Sequence, residues 1–210
     1  MANEIQRLYG GSTSSAATTP TAVYTAPSNK RVVIKSIVAY NPSSSDQRFS
    51  IALAGYPIIH NHFIKAYDTL VLPVAGFVIN PSESILFGTS SSVSIIVTGL
   101  VFDAVERNKP FVVTRLNALT TTPSGLQFRD TSDDIMIKSV TFCNVSSSDT
   151  VIAFSLGGYN LMGSKPLKAY DTLTIPFLDQ LLVKGEYLTA WAGAANTVVF
   201  YATGIAVVNT

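Results

Sequence analysis

The sequence is poor in the residues that build disulfides and metal sites. It contains one cysteine, Cys143, and two histidines, His60 and His62. A single cysteine excludes an intrachain disulfide and any zinc site built on several cysteines. The first seven residues contain no apolar segment of the kind found in secretory signals. We therefore expect synthesis in the cytoplasm, with no disulfide framework.

Charge is also scarce. Charged residues make up 13% of the 210 residues, about half the usual share in soluble domains, while 47% are hydrophobic. The net charge is +1 without a basic cluster, which argues against a nucleic-acid partner. The longest apolar run, from Val93 to Phe102, is interrupted by polar residues and is too short to span a membrane as a helix. We therefore expect a homo-oligomer or another assembly that covers part of the surface.

An internal repeat organises the rest of the chain. Ile34-Lys35-Ser36 returns 103 residues later as Ile137-Lys138-Ser139, and Asn41 returns as Asn144. The Ser-Ser-Ser-Asp string at 43–46 returns at 146–149 with the same offset. The longest match is Lys-Ala-Tyr-Asp-Thr-Leu, at 65–70 and again at 168–173. Near the end the offset becomes 105, where Thr98-Gly99 matches Thr203-Gly204. The chain therefore contains two copies of one unit.

Within each copy, short segments rich in β-branched and aromatic residues alternate with Gly, Pro, Asn and Ser. This rhythm predicts an all-β protein with two tandem antiparallel β-sandwich domains that resemble jelly rolls. The predicted bounds are an N-terminal Ser/Thr-rich arm at 1–19, repeat 1 at 20–104, a linker at 105–114 and repeat 2 at 115–210.

The repeated hexapeptide is the first candidate site. Its polar members are Lys65, Tyr67 and Asp68 in one copy and Lys168, Tyr170 and Asp171 in the other. The hexapeptide is open to two interpretations, a duplicated binding motif or a structural turn. We favour the turn, with Asp holding turn amides and Tyr packed with its hydroxyl satisfied.

Other candidate residues do not form a chemical site. His60 and His62 stand where the second copy has Gly163 and Lys165, and no third ligand is evident, so we predict no metal. Lys35 and Lys138 are expected to pair with the repeated acids Glu83 and Glu186. No nucleophile motif or phosphate-binding glycine loop is present. We therefore predict no catalytic residues, no cofactor and no enzymatic activity.

The N-terminal arm has no recognisable counterpart in the repeat. Ile5, Leu8 and Tyr9 form a small apolar group in an otherwise Ser/Thr-rich segment. We predict that these three residues dock on a neighbouring subunit and that the arm is an assembly strap. The alternative is an arm that folds back over its own first unit.

The order of motifs resembles small β-sandwich virion proteins of tailed bacteriophages. Each copy carries Ile-Lys-Ser, an Asn with Ser-Ser-Ser-Asp, Gly-Tyr, the hexapeptide and a last apolar strand with Thr-Gly. The resemblance implies a non-enzymatic structural protein of the virion, as capsid decoration or a neck or tail component, bound to copies of itself and to other virion proteins. The alternative is a receptor- or glycan-binding adhesin or tail-fibre module that contacts a host-surface glycan.

Overall fold

The computed structural model describes residues 4–13, 19–72, 76–105, 109–122, 127–128, 133–176 and 178–207. Within these ranges the chain forms eighteen strands and no helix, and every strand pair is antiparallel. The chain divides into two compact units, Met1–Glu106 and Arg107–Thr210. The prediction of an all-β, antiparallel protein is confirmed.

The first unit contains nine strands. They are β1 (Glu4–Thr13), β2 (Thr21–Thr25), β3 (Lys30–Tyr40), β4 (Gln47–Leu53), β5 (Tyr56–Ile64), β6 (Thr69–Leu72), β7 (Phe77–Ile79), β8 (Ser84–Thr89) and β9 (Val93–Asp103). One five-stranded sheet has the order β1-β9-β3-β6, with β7 also paired to β3. One four-stranded sheet has the order β2-β8-β4-β5.

The second unit repeats this arrangement. Its strands are β10 (Phe111–Leu116), β11 (Gln127–Phe128), β12 (Asp134–Asn144), β13 (Thr150–Leu156), β14 (Tyr159–Leu167), β15 (Thr172–Ile175), β16 (Gln180–Leu182), β17 (Leu188–Ala192) and β18 (Val198–Val207). The five-stranded sheet runs β10-β18-β12-β15, with β16 paired to β12, and the four-stranded sheet runs β11-β17-β13-β14. Each strand therefore has a counterpart in the same place of the other unit.

Alternating apolar residues from both sheets form the core of each unit. In the second unit, Phe142 and Phe200 of the five-stranded sheet lie with ring centroids 6.4 and 6.2 Å from that of Phe154 in the four-stranded sheet. In the first unit, Tyr9 on β1 lies 6.3 Å from Phe87 on β8, again between the two sheets. Full burial of such a side chain stabilises the fold by about 1.5–3 kcal/mol, so these rings hold the two sheets of a unit together.

The edge strand of each five-stranded sheet contains a β-bulge, and so does the strand that holds Lys35 or Lys138. Leu8 is the extra residue in β1 and Val113 the extra residue in β10, and both are buried. A bulged side chain needs room on the neighbouring strand. That room is opposite a glycine, because a Cβ added at Gly99 would lie 2.6 Å from Leu8 Cδ1, and one added at Gly204 would lie 2.8 Å from Val113 Cγ2. The glycine of the repeated Thr-Gly pair is therefore explained by the bulged side chain that it leaves room for.

Left-handed backbone positions also repeat. Among the described residues with positive φ, all but Asn196 form matched pairs at the 103-residue offset. The six pairs are Ala54 with Gly157, Gly55 with Gly158, Asn61 with Ser164, Tyr67 with Tyr170, Gly76 with Asp179, and Ser82 with Gly185. Asn196 lies where the second copy has two additional residues. The two units therefore turn at the same places even where their side chains differ.

The predicted arm and linker need correction. Residues 4–13 of the predicted arm are β1, hydrogen-bonded along β9 of their own unit. The counterpart of β1 is β10, most of which lies inside the predicted linker at 105–114. The two compact units therefore each include an edge strand that begins before the predicted repeat starts at 20 and 115 and that completes the five-stranded sheet. Residues 14–18 of the predicted arm lie outside the described residues.

Candidate assembly surface and repeated polar cluster

A buried asparagine organises the repeated polar strings of each unit. Asn41 has no exposed surface, and its Nδ2 donates hydrogen bonds to the carbonyls of Ser45, Ile64 and Lys65 at 2.8, 3.1 and 2.9 Å. Its Oδ1 accepts hydrogen bonds from the Ser43 backbone N at 3.0 Å and from Ser43 Oγ at 2.8 Å. The Asn41 side chain therefore joins the serine turn to the start of the hexapeptide. We call this arrangement the polar cluster.

The second unit builds the same polar cluster on Asn144. Its Nδ2 donates to the carbonyls of Ser148 and Lys168 at 2.8 and 2.9 Å, and its Oδ1 accepts from Ser146 N at 3.0 Å. The sequence shows that this asparagine is repeated, but it does not show that the asparagine is the centre of the polar cluster. The sequence signal is an Asn that follows a predicted strand directly ahead of a serine-rich turn in both copies, because Asn side chains bond readily to backbone groups in turns.

The hexapeptide forms a tight turn between β5 and β6, and likewise between β14 and β15. Asp68 N donates to the Lys65 carbonyl at 3.1 Å, and Tyr67 has a φ of 58°. Asp68 Oδ1 accepts a hydrogen bond from Thr69 N at 2.8 Å. Tyr67 is 64% exposed, so its ring does not pack in the core as the structural interpretation supposed. The bulky residue stands at a left-handed position that glycine or asparagine occupies more easily.

An ion pair supports the hexapeptide turn of the second unit. Lys168 Nζ lies 2.7 Å from Asp149 Oδ2, while the other carboxylate oxygen of Asp149 accepts from Ala169 N at 3.0 Å. The hydrogen bond from Lys168, helped by that from Ala169, lowers the pKa of the Asp149 carboxyl, and the same contact raises the pKa of Lys168. Both side chains are largely exposed, so this pair adds little to stability.

In the second unit, the repeated lysine does not pair with the repeated glutamate as predicted. Lys138 is the extra residue of a bulge in β12 and forms an ion pair with Asp179. Glu186 instead accepts a hydrogen bond from Val183 N at 3.0 Å, and Glu83 accepts one from Asn80 N at 2.6 Å. Both glutamates therefore close turns. The predicted Lys138–Glu186 pair is wrong, because the bulge directs Lys138 toward a partner that the first copy lacks at that position, where Gly76 stands.

The two histidines occupy β5 on either side of Asn61. His60 is partly buried and His62 is exposed, and burial lowers the pKa of the His60 imidazole. Asn61 is 8% exposed with a φ of 53°, and its Oδ1 has no hydrogen-bond partner. Over the described ranges, no group of three or more His, Cys, Asp or Glu side chains is arranged to hold a metal ion.

The three residues predicted to dock on a neighbouring subunit have different surroundings in β1. Leu8 is 9% exposed and belongs to the core of its own unit. Tyr9 contacts Phe87 across that core, whereas Ile5 is 74% exposed. Leu8 and Tyr9 thus stabilise their own unit, and an interface role for Ile5 stays a prediction.

The outward face of the first five-stranded sheet carries an exposed row of small and aliphatic residues. The strand register places Gly10 opposite Ile96, Ile96 opposite Val38, and Val38 opposite Val71. Ile96 is 49% and Val71 is 60% exposed. We call these four residues the aliphatic row. Beside Gly10 and Gly11, a groove of about 380 Å³ opens between Arg7, Tyr40 and Ile96.

The corresponding row of the second unit has a different composition and is covered. Register places Arg115 opposite Tyr201, Tyr201 opposite Thr141, and Thr141 opposite Thr174. Tyr201 and Thr141 are each 1% exposed. The Arg115 guanidinium lies 5.0 Å from the Tyr201 ring centroid, whereas the first unit has Gly10 at this place. The groove of the first unit therefore exists where the second unit has a large side chain.

The described part of the chain contains no helix that is long and apolar enough to cross a membrane. No family model matches the chain, and no curated protein matches it.

Three solved structures show low similarity. The major capsid protein P2 from bacteriophage PM2 is 12% identical with a TM-score of 0.36, covering 100% of this chain and 99% of that chain. The STIV MCP is 9% identical with a TM-score of 0.32, covering 98% and 96%. The conserved protein of unknown function PA5104 from Pseudomonas aeruginosa PAO1 is 12% identical with a TM-score of 0.32, covering 97% and 80%.

Proposed function

We propose that this chain is a non-enzymatic structural protein of a phage-like virion, either a capsid decoration or a neck or tail component. In this function it stabilises a particle through contacts between subunits. The observation that carries the proposal is the aliphatic row. Val71 and Ile96 expose a neutral apolar surface in a chain with only 13% charged residues. Contiguous exposed apolar surface is typical of sites of protein association.

The strand order fits a particle component and a glycan-binding module equally well. In each unit, one sheet takes the first, last, third and sixth strands, and the other takes the second, eighth, fourth and fifth. We infer that each unit is one jelly-roll sandwich, with β6 and β7 acting as a single interrupted strand because both pair with β3. Jelly rolls of about eight strands are common in viral capsid and lectin domains, so the fold suits both assembly and glycan binding.

The test is the location of the chain on a particle. An antibody raised against the recombinant chain would be used for immunogold electron microscopy of purified particles from cells that produce the chain. We expect regular labelling at one part of the particle and a fixed copy number by quantitative mass spectrometry. If the chain were found only in the soluble lysate and the particles stayed unlabelled, the proposal would be contradicted.

A second candidate is a glycan-binding adhesin or tail-fibre module. It is favoured by the exposed aromatic rings of Tyr159 and Tyr67, which are 77% and 64% exposed. Exposed aromatic rings are suited to stacking on sugars, since they offer an apolar face beside a hydroxyl group. Binding on a glycan array that is lost in Tyr159→Ala or Tyr67→Ala would favour this function, and an array without signal would exclude it for the glycans present.

A further inference from the structure

The two units expose opposite kinds of surface at equivalent strand positions. In the second unit the row is polar and covered, with an Arg115 side chain over Tyr201. In the first unit the row is aliphatic and exposed, and glycine replaces the covering arginine. Apolar surface is more stable when it is removed from water, so the uncovered row favours association.

We propose that two copies of this chain pack face to face through the aliphatic row, with Val71 of each copy seated over Gly10 of the other. The row crosses four strands, from Gly10 on β1 at one end to Val71 on β6 at the other. A two-fold axis parallel to the strands reverses the order of the row in the second copy. The most exposed side chain of the row then meets the hollow beside Gly10, while Ile96 meets Val38.

The chemistry of the row favours a second copy over an unrelated partner. A two-fold interface brings each surface against itself, so it must be complementary to itself in both shape and charge. The row contains no charged residue, and the net charge of the chain is only +1, so two copies repel each other weakly. The protruding Val71 and the groove beside Gly10 supply the complementary shapes, with the flexible Arg7 side chain lining the groove. This interface rests on the proposed virion function, for which it provides the contact between subunits.

The first experiment places a charge in the row. Sedimentation equilibrium of the recombinant full chain would measure self-association for the wild type and for Val71→Lys, with thermal unfolding recorded in parallel. We expect the wild type to dimerise and Val71→Lys to raise the Kd by about tenfold or more. Leu161→Lys is the matched control, because Leu161 is 47% exposed on β14 of the second unit. An unchanged Kd in Val71→Lys, or an equal increase in Leu161→Lys, would overturn the proposal.

The second experiment tests the register of the contact. Gly10→Val fills part of the groove beside Gly10, and Val71→Ala shortens the side chain that enters this groove. Each change alone is therefore expected to weaken the dimer. Together they exchange the large and small partners, so the double variant is expected to dimerise more strongly than the two separate losses predict. Gly10→Val remains foldable, because the nearest atom to an added Cβ is the flexible Arg7 Cδ at 3.0 Å. Strictly additive losses would overturn the seating of Val71 over Gly10.

The outcomes separate this interface from the proposed function. A wild-type chain that stays monomeric up to millimolar concentration, or that binds only a different virion protein, overturns the homotypic interface and leaves the virion function in place. A chain that dimerises through the row but never occurs on particles supports the interface and contradicts the virion function.

Discussion

Asn41 and Asn144 show how one side-chain amide can supply the hydrogen bonds that backbone carbonyls no longer receive from a neighbouring strand. Neither has exposed surface, and each satisfies carbonyl groups that leave the sheet ladder where a strand ends. The Asn41 amide is a partner for the buried Ile64 carbonyl at the end of β5 and a second partner, beside Asp68 N, for the Lys65 carbonyl. An unpaired buried polar group costs about 1–3 kcal/mol.

We expect Asn41→Ala and Asn144→Ala each to lower the free energy of unfolding by about 2–4 kcal/mol. The reason is that alanine removes both the donors and the acceptor that join the two turns of the polar cluster. Urea denaturation would measure the loss. Ser44→Ala is the control, since Ser44 is an exposed residue of the same serine turn. A loss of less than about 0.5 kcal/mol in both asparagine variants would show that the turns hold without them.

At Tyr67 we expect a substitution to maintain or raise the free energy of unfolding. Its φ of 58° costs a bulky residue about 1–2 kcal/mol, and its exposed ring contributes little packing in return. We expect Tyr67→Gly to raise the free energy of unfolding or leave it unchanged. Ala66→Gly, in the same turn without a positive φ, is expected to lower it by about 0.5–1 kcal/mol. Equal losses in the two variants, measured by urea denaturation, would show that the Tyr67 ring stabilises its own unit.

At the scale of elements, the edge strand and its glycine act together. Leu8 and Val113 enter their units only because Gly99 and Gly204 leave space for them. We expect Gly99→Ala to lower the free energy of unfolding by about 1–3 kcal/mol, since the added methyl group meets Leu8 and also the Val33 carbonyl at 3.1 Å.

Two further variants decide whether the loss comes from this crowding. Gly163→Ala is the control, because nothing lies within 4 Å of a Cβ added there, and its effect is expected to stay within about 0.5 kcal/mol. Adding Leu8→Ala to Gly99→Ala is expected to cost less than the sum of the two single changes. A Gly99→Ala protein as stable as the wild type would contradict the account.

The elements differ in how well the sequence predicts them. The strands around the hexapeptide and the Ile-Lys-Ser string were predictable, because their turns and apolar alternation are local. β1 and β10 were not recognised as equivalents, since Leu8 and Val113 share an environment but the strands share almost no side chains. Their pairing depends on backbone hydrogen bonds to β9 and β18, which carry no sequence signal. The aliphatic row was missed for a related reason, because it exists only after four strands are placed in register.

For the whole molecule, the scarcity of metal-binding residues leads to a simple expectation. Protein purified without a metal-affinity tag should contain less than about one-tenth of an equivalent of zinc, copper or iron by elemental analysis, because His60 and His62 have no evident third ligand. Stoichiometric metal that disappears in the double variant His60→Asn/His62→Asn would contradict the prediction. His62→Asn alone is the control for nonspecific binding at the exposed histidine.

The matched left-handed residues of the two units have a consequence for the history of the gene. The hexapeptides at 65–70 and 168–173 are identical, so a junction between the two copies inside them leaves the amino-acid sequence of the turn unchanged. A crossover there would remove or add a segment of 103 residues, which corresponds to one whole unit. Because the six pairs of positive-φ residues keep the same spacing on both sides, the recombined chain would still turn in the right places. Chains with one, two or three units are therefore neighbours in evolution, separated by one genetic event.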